Sequence, residues 1–131
     1  MKLFAQLAAA SALFLAASPA RANDVERIDP KAAAALVDKG SATLVDVREQ
    51  DEVSAGMAKQ AQWFPMSKMK EPDAFKKFLA TLPKGKVIFY CAAGGRAGKA
   101  AEQAAALGYS VANMGGFKDW SAAGLPTKPK P

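Results

Sequence analysis

Short apolar runs alternate with longer segments of helical periodicity along most of this chain. Residues 43–47 and 86–90 are rich in β-branched and aromatic side chains, which is typical of strands buried on both faces of a sheet. Residues 110–114 have a similar pattern, and residues 62–65 form a briefer apolar run that ends in proline. The pattern therefore predicts four short strands.

Helical segments separate these strands. Asp29 is placed to cap a helix that has Pro30 in its first turn, continues through residues 31–39 and ends at Gly40. Helical spacing and terminal glycine or proline residues predict further helices over residues 49–55, 73–82, 96–107 and 117–123. This alternation predicts an α/β domain with a parallel sheet and helices on both of its faces.

The first residues have the pattern of a targeting signal. Lys2 precedes an apolar run over residues 3–17, and a small-residue triplet follows at residues 20–22. These features predict a signal peptide over residues 1–22, cleavage after Ala22, and a periplasmic or secreted product that is free of the membrane. An uncleaved anchor is the alternative, although about fifteen apolar residues is short for a membrane span.

The rest of the chain divides into a domain over residues 23–126 and a tail over residues 127–131. The tail contains mainly proline and lysine, and we expect it to be flexible. The length is typical of one domain and favours a monomer.

Composition excludes several classes of site. The 131 residues include no histidine and one cysteine, so no Ser/His/Asp triad, Cys/His dyad, Cys/His zinc site or internal disulfide can form. We expect no metal and no cofactor. The formal net charge is +6, but the lysines near turns and in the tail lack interleaved aromatic residues. No nucleic-acid partner is therefore expected.

One segment has the features of a reactive site. Cys91 follows a predicted strand, and only small residues connect it to Arg96 and the next helix: Ala92, Ala93, Gly94 and Gly95. Backbone N–H groups can turn inward in such a loop and form an anion-binding nest, with both glycines supplying positive φ angles. The nest and the positive end of the following helix favour a thiolate at Cys91.

The position of Arg96 is open at this point. Its guanidinium either lies over the pocket or folds back and ties the loop to a carboxylate. Cys91 could also be a small apolar residue at a strand end without a function. The glycine turn, the helix start and the arginine together favour a nucleophilic cysteine instead.

Three separated motifs resemble the rhodanese family. They are residues 45–49, the loop of residues 91–96, and residues 115–126, and they occur in the family's order. The resemblance implies a parallel sheet of about five strands flanked by helices on both faces. It also implies a sulfurtransferase in which Cys91 takes a sulfane sulfur from thiosulfate or another small donor anion and holds it as a persulfide.

The resemblance extends to acceptors and to supporting residues. Cyanide, a small thiol or the thiol of a partner protein would remove the sulfur from Cys91. The loop N–H groups and Arg96 would bind the donor, and no general base is needed if the cysteine is already ionised. Asp46 and Arg48 lie at a strand end beside the loop, where they would either orient it by hydrogen bonds or pair with other charges. Trp120 is expected to pack the final helix on the core.

The chain departs from the family pattern at two places. The common motif Gly-His-Ile-Pro-Gly-Ala is replaced at residues 56–61, which makes the pocket rim unpredictable from sequence. The loop and Ala97 also lack the cationic or hydroxyl side chain that many active members have. We therefore expect weak activity with thiosulfate and a less charged donor, or a partner protein's persulfide, as the better substrate.

Two other functions are compatible with the sequence. A low-activity binding or sulfur-delivery module would keep the fold with slow chemistry. A phosphatase or arsenate reductase is the more distant alternative. Four residues separate Cys91 from Arg96, whereas the related phosphatases have one residue more.

Overall fold

Four parallel strands form the central sheet in a computed structural model, which describes residues 25–131. The sheet has the order β3-β1-β4-β5, and a separate two-stranded antiparallel sheet pairs β2 with β6. The strands are β1 Ala42–Asp46, β2 Met57–Ala58, β3 Gln62–Trp63, β4 Lys86–Cys91, β5 Val111–Gly116 and β6 Thr127–Lys128. The predicted signal peptide, residues 1–22, lies outside the described residues.

Five α-helices accompany the strands within residues 25–131. They are α1 Pro30–Asp38, α2 Gln50–Val53, α3 Ala74–Ala80, α4 Gly95–Ala106 and α5 Phe117–Ala122, and a 3₁₀ helix that the sequence did not predict covers Met66–Lys70. Asp29 caps α1 as predicted, because its Oδ1 accepts the Ala32 N–H at 2.9 Å and Pro30 opens the helix. No helix in this part of the chain is long and apolar enough to cross a membrane.

Strand side chains alternate between two cores, one on each face of the sheet. On one face Val87 and Phe89 pack with alanines of α4 and with Phe75 and Leu79 of α3. On the other face Ile88 and Tyr90 of the same strand pack with α1 and α5. The predicted parallel sheet with helices on both faces is therefore confirmed.

The open edge beside β5 carries one isolated bridge. Arg27 pairs in parallel with Asn113, supported by N–H to O bonds from Ile28 to Asn113 at 3.1 Å and from Asn113 to Glu26 at 2.8 Å. One bridge is too short to count as a strand. The described sheet thus has four strands instead of about five, and the Arg27–Asn113 bridge lies beside the last of them.

Residues 56–61, which depart from the family pattern, are held by the end of the chain. Met57 pairs with Lys128 and Ala58 with Thr127, and both β2 residues are fully buried. The first two residues of the predicted flexible tail are therefore part of a strand, which corrects that expectation. The sequence pattern missed this pairing because two-residue strands have no periodicity to detect.

The last helix packs as predicted from its tryptophan. Trp120 is fully buried, and its Nε1 donates to the Pro126 carbonyl at 2.8 Å. This bond fixes the segment that leads into β6, so the same side chain anchors α5 and directs the chain end toward β2.

Candidate active site

The cysteine loop lies at the carboxyl edge of the sheet, where the sequence predicted it. Cys91 is the last residue of β4 and pairs with Gly116 at the end of β5. The helix α4 begins four residues later at Gly95. Ala92, Ala93 and Gly95 are exposed, whereas Cys91 is only 1% exposed, so the cysteine lies beneath its own loop.

The Cys91 sulfur is surrounded by backbone N–H donors. The Gly94 N–H points at Sγ from 3.0 Å and the Ala97 N–H from 3.5 Å. Ala97 is in the first turn of α4, whose N–H groups have no acceptor inside the helix and carry the positive end of its dipole. Both contacts stabilise negative charge on the sulfur, as the predicted nest requires.

Only one of the two loop glycines has the positive φ that was predicted for both. Gly94 is the residue before α4 and has a φ of 106°, which permits the chain to turn from the loop into the helix. Gly95 is the first helical residue and is absent from the positive-φ positions of residues 25–131. A Cβ on Gly95 would meet nothing within 4 Å, so no steric contact requires glycine at this position.

A third glycine lets the end of β5 approach the loop. A Cβ on Gly116 would lie 2.2 Å from the Ala92 carbonyl oxygen, far inside van der Waals contact. Any side chain there would push the loop away from the sheet. Gly116 belongs to the motif of residues 115–126, and this close approach is the physical reason for a glycine there.

Arg96 folds back onto a carboxylate. Its Nη1 and Nη2 donate to Glu52 Oε1 at 2.6 Å and Oε2 at 2.8 Å, a bidentate pair whose side chains remain about one-third exposed. This resolves the open alternative, because the guanidinium does not lie over the pocket. The hydrogen bonds from Arg96 lower the pKa of Glu52 to about 2, and the same bonds raise the pKa of Arg96.

Glu52 was not predicted as a site residue, and it connects the loop to two further elements. Its Oε1 also accepts the Glu49 N–H at 3.1 Å. The Glu49 carboxylate in turn accepts from the Ser67 N–H at 2.9 Å and the Ser67 hydroxyl at 2.7 Å. Arg96 is thus fixed to α2, which is itself bonded to the 3₁₀ helix.

A buried amide holds the opposite side of the loop. Asn113 is 3% exposed, and its Nδ2 donates to the Gly94 carbonyl at 2.9 Å while its Oδ1 accepts the Gly115 N–H at 2.9 Å. Because the Gly94 carbonyl is turned toward Asn113, the Gly95 N–H, which belongs to the same peptide unit, points the other way. No local pattern predicts this role, since Asn113 lies within a predicted strand.

Asp46 and Arg48 pair with each other and make no hydrogen bond to the loop within the described residues. Arg48 Nε and Nη2 donate to the Asp46 carboxylate at 2.8–3.1 Å, and the two residues are 6% and 0% exposed. The guanidinium also lies 4.4 Å from the Phe117 ring centroid. Of the two predicted roles, pairing with other charges is therefore the correct one.

This buried pair still reaches the site indirectly. Burial alone would lower the pKa of Arg48, but hydrogen bonding to Asp46 and its charge outweigh that effect and raise it. Arg48 also donates to the Gly56 carbonyl at 2.8 Å and to the Glu52 carbonyl at 3.5 Å. It therefore secures the end of α2, whose Glu52 side chain holds Arg96.

The arrangement combines a shielded cysteine sulfur with inward backbone donors and a fixed loop. The described residues contain no group of acidic, histidine or cysteine side chains that could hold a metal ion. Within residues 25–131, no acidic or basic side chain hydrogen-bonds to the sulfur. The geometry suits attack by the sulfur on a group whose products carry negative charge.

Sequence comparison identifies one family model. A model described as a rhodanese-like domain matches residues 29–123, which includes both arginine pairs and the cysteine loop. None of the curated protein sequences matches the chain.

Several solved structures are similar to this chain. A rhodanese-related protein from Thermoplasma volcanium is 25% identical with a TM-score of 0.65, and the match covers 79% of this chain and 97% of that one. A structure described as rhodanese with anions, from E. coli, is 27% identical with a TM-score of 0.55, covering 67% and 98%. A protein from Rhodopseudomonas palustris described as a possible tyrosine phosphatase is 28% identical with a TM-score of 0.67, covering 82% and 88%.

Proposed function

The chain belongs to the rhodanese-like domain family, and on that premise we propose that it transfers a sulfane sulfur through a persulfide on Cys91. The observation that carries this proposal is the pair of N–H donors directed at the Cys91 sulfur, at 3.0 and 3.5 Å. Such donors stabilise the thiolate before the reaction and the charged persulfide after it.

The reaction needs no proton transfer in either half. In the first half the Cys91 thiolate attacks the outer sulfur of thiosulfate, a new S–S bond forms, the donor's S–S bond breaks, and sulfite leaves with the electron pair. In the second half cyanide attacks the outer persulfide sulfur, thiocyanate forms, and the thiolate returns. A thiol acceptor would act at the same outer sulfur. The absence of histidine from the sequence is compatible with this mechanism.

The site supports slow turnover with thiosulfate. The exposed loop residues Ala92, Ala93 and Gly95 carry no charge, and the Arg96 guanidinium is engaged by Glu52. The loop itself therefore presents backbone N–H groups alone to a dianion. A less charged donor, or the persulfide of a partner protein, is the better substrate in this proposal.

Intact mass spectrometry tests the persulfide. We expect the purified protein to gain about 32 Da, one sulfur, on incubation with thiosulfate, and cyanide to remove that mass. Cys91→Ser is the matched variant, because it replaces one atom and should neither gain the mass nor release thiocyanate. Thermal unfolding of both proteins checks that the fold is unchanged.

A missing mass gain with an alkylable Cys91 would contradict thiosulfate as a donor. Repeating the experiment with an alkyl hydropersulfide then separates a different donor preference from absent chemistry. If neither donor adds sulfur, the low-activity binding or delivery module becomes the function to test, by capture of partners with wild type and Cys91→Ser.

Phosphate chemistry is the second candidate because one similar structure is described as a possible tyrosine phosphatase. Here Arg96 is held by Glu52, and the loop is one residue shorter than the phosphatase loop. We therefore expect no hydrolysis of p-nitrophenyl phosphate. Hydrolysis that disappears in Cys91→Ser would reverse the assignment.

We also propose that the protein acts after export. The apolar segment of residues 3–17 and the triplet at residues 20–22 support this location. Expression of the full chain in a Gram-negative host should give a periplasmic product that begins at Asn23. A cytoplasmic product of unprocessed mass would contradict export.

A further inference from the structure

A guanidinium outside the predicted site lies beside the cysteine loop. Arg27 belongs to the bridge at the open edge of the sheet, next to Asn113. A Cβ on Gly94 would be 3.2 Å from Arg27 Nη1, and a Cβ on Gly115 would be 3.3 Å from Nη2. One terminal nitrogen therefore borders the loop at Gly94 and the other borders β5 at Gly115, on the side of the loop that Asn113 holds.

Arg27 differs from the other arginines of residues 25–131 in its partners. Arg48 is paired with Asp46 and Arg96 with Glu52, but no described carboxylate lies within 4.0 Å of Arg27. The neighbouring Glu26 carboxylate pairs with Lys86 instead. Arg27 is also exposed, so its planar set of N–H donors is open to a ligand.

We infer that Arg27 binds the oxyanion end of the sulfur donor and so determines donor specificity; this inference rests on the proposed persulfide chemistry. The loop N–H groups surround the Cys91 sulfur, whereas Arg27 borders the loop at Gly94. A thiosulfate ion places its outer sulfur at the nucleophile and its sulfonate oxygens away from it. Arginine matches such oxygens with two parallel N–H bonds.

The same arrangement stabilises the leaving group. When Cys91 attacks, the donor's S–S bond breaks and its electron pair goes to sulfite, which leaves with the two negative charges that thiosulfate brought. Arg27 is placed to hold these charges as they move onto the sulfite group. The slow reaction expected from the uncharged loop is therefore accelerated, for oxyanion donors, by a cation from a distant part of the sequence.

One acidic side chain opposes this effect. The Cβ position of Gly115 is 3.6 Å from Asp119 Oδ2, so a carboxylate borders the same glycine that Arg27 borders. Its negative charge repels an anionic donor and weakens the attraction by Arg27. Asp119→Asn should therefore change thiosulfate use in the direction opposite to a change at Arg27.

The experiment compares two donors in four proteins. The donors are thiosulfate and an alkyl hydropersulfide, which transfers sulfur to the thiolate as its S–S bond breaks and an alkyl thiolate leaves, without any oxyanion. The proteins are wild type, Arg27→Gln, Arg27→Lys and the control Lys39→Gln. Lys39 is an exposed cation at the end of α1 and precedes the start of β1, so it lies at the amino ends of the strands, away from the carboxyl edge that carries the cysteine loop.

We expect a donor-dependent loss in the Arg27 variants. Arg27→Gln should lower the second-order rate constant of persulfide formation from thiosulfate about tenfold, since one charge-assisted contact at an exposed site is lost. Arg27→Lys should recover part of that loss because the charge returns without the bidentate geometry. Rates with the hydropersulfide, and both rates in Lys39→Gln, should stay at the wild-type values.

Two outcomes would overturn the inference in distinguishable ways. Equal losses with both donors in Arg27→Gln would show that Arg27 supports the loop and does not bind the donor. Unchanged thiosulfate rates in that variant would show that the donor does not contact Arg27. If wild type forms no persulfide with either donor, the proposed function itself fails, and the donor inference fails with it.

Discussion

Two arginine–carboxylate pairs contact α2, and they perform different tasks. Arg48 and Asp46 are 6% and 0% exposed, and the guanidinium is covered by the Phe117 ring. The Arg96 and Glu52 side chains are 34% and 30% exposed at the cysteine loop. Both pairs are bidentate, so their contacts alone do not separate them. Their burial does.

Burial separates the pair that stabilises the fold from the pair that positions the site. Removing one partner of a buried pair leaves an uncompensated charge in a medium that cannot solvate it. Removing one partner of an exposed pair lets water take its place, at little cost in stability. Removing a partner of the exposed pair nevertheless frees the loop, because the start of α4 is no longer held in place. We call Asp46–Arg48 the inner pair and Glu52–Arg96 the outer pair. We therefore expect the inner pair to control stability and the outer pair to control the reaction rate.

The largest expected effect is on the inner pair. Asp46→Asn should reduce the free energy of unfolding by about 3–5 kcal/mol, because the Arg48 charge stays buried without a counter-charge. Urea denaturation monitored by tryptophan fluorescence measures this. Asp51→Asn, an exposed acidic residue in the first turn of α2, is the matched control and should stay close to wild type.

A double substitution shows whether charge is the reason for that loss. Asp46→Leu combined with Arg48→Met removes both charges, and we expect it to be more stable than Asp46→Asn, since a buried pair can often be replaced by apolar residues. The loss of the Gly56 contact leaves it somewhat below wild type. A double variant less stable than the single one would show that hydrogen-bond geometry outweighs the buried charge.

The outer pair should respond in the opposite way. Glu52→Gln is expected to cost about 1 kcal/mol of stability or less. It should nevertheless slow persulfide formation about tenfold, because Arg96 is released and the first turn of α4 is no longer held in place. Stopped-flow or quenched mass measurements with a hydropersulfide give this rate, with Asp51→Asn again as control. An unchanged rate would show that the Glu52–Arg96 pair does not position the loop.

The smallest effect is a pH dependence of the outer pair. Glu52 has its pKa lowered from 4.5 to about 2 in the folded protein. A lowered folded-state pKa gives stability that is complete above 4.5 and is lost as pH falls toward 2. The stability difference between wild type and Glu52→Gln should therefore be constant above pH 5 and shrink below pH 4, as measured by urea denaturation. A stability difference that stays constant down to pH 2 would show that the charge of Glu52 does not contribute to stability through its pair with Arg96.

Several elements of the fold could be predicted because their signals are local. The cap at Asp29 and Pro30, the buried strand β4 and the helix α4 depend on neighbouring residues, and the structure places them within a few residues of the prediction. The cysteine loop was predictable for the same reason, since its residues are contiguous. The antiparallel pairing of β2 and β6 was not, because each strand has only two residues.

The residues that fix the loop could not be found in this way. Glu52 is 44 positions from Arg96, and Asn113 is 19 positions from Gly94. Neither has an unusual local sequence, and Asn113 interrupts a strand that was predicted from its apolar neighbours. Arg27 lay in no motif at all, and only the bridge to Asn113 brings it to the loop.

Local sequence patterns specify the α/β alternation, the position of a single cysteine at a strand end, and the glycine turn into a helix. These follow from side-chain periodicity and backbone freedom, which act over a few residues. The tertiary structure decided which carboxylate each arginine meets, and which arginine remains free within the described residues. That choice depends on distances and burial across packed elements, since the strength of a charge pair is set by its surroundings.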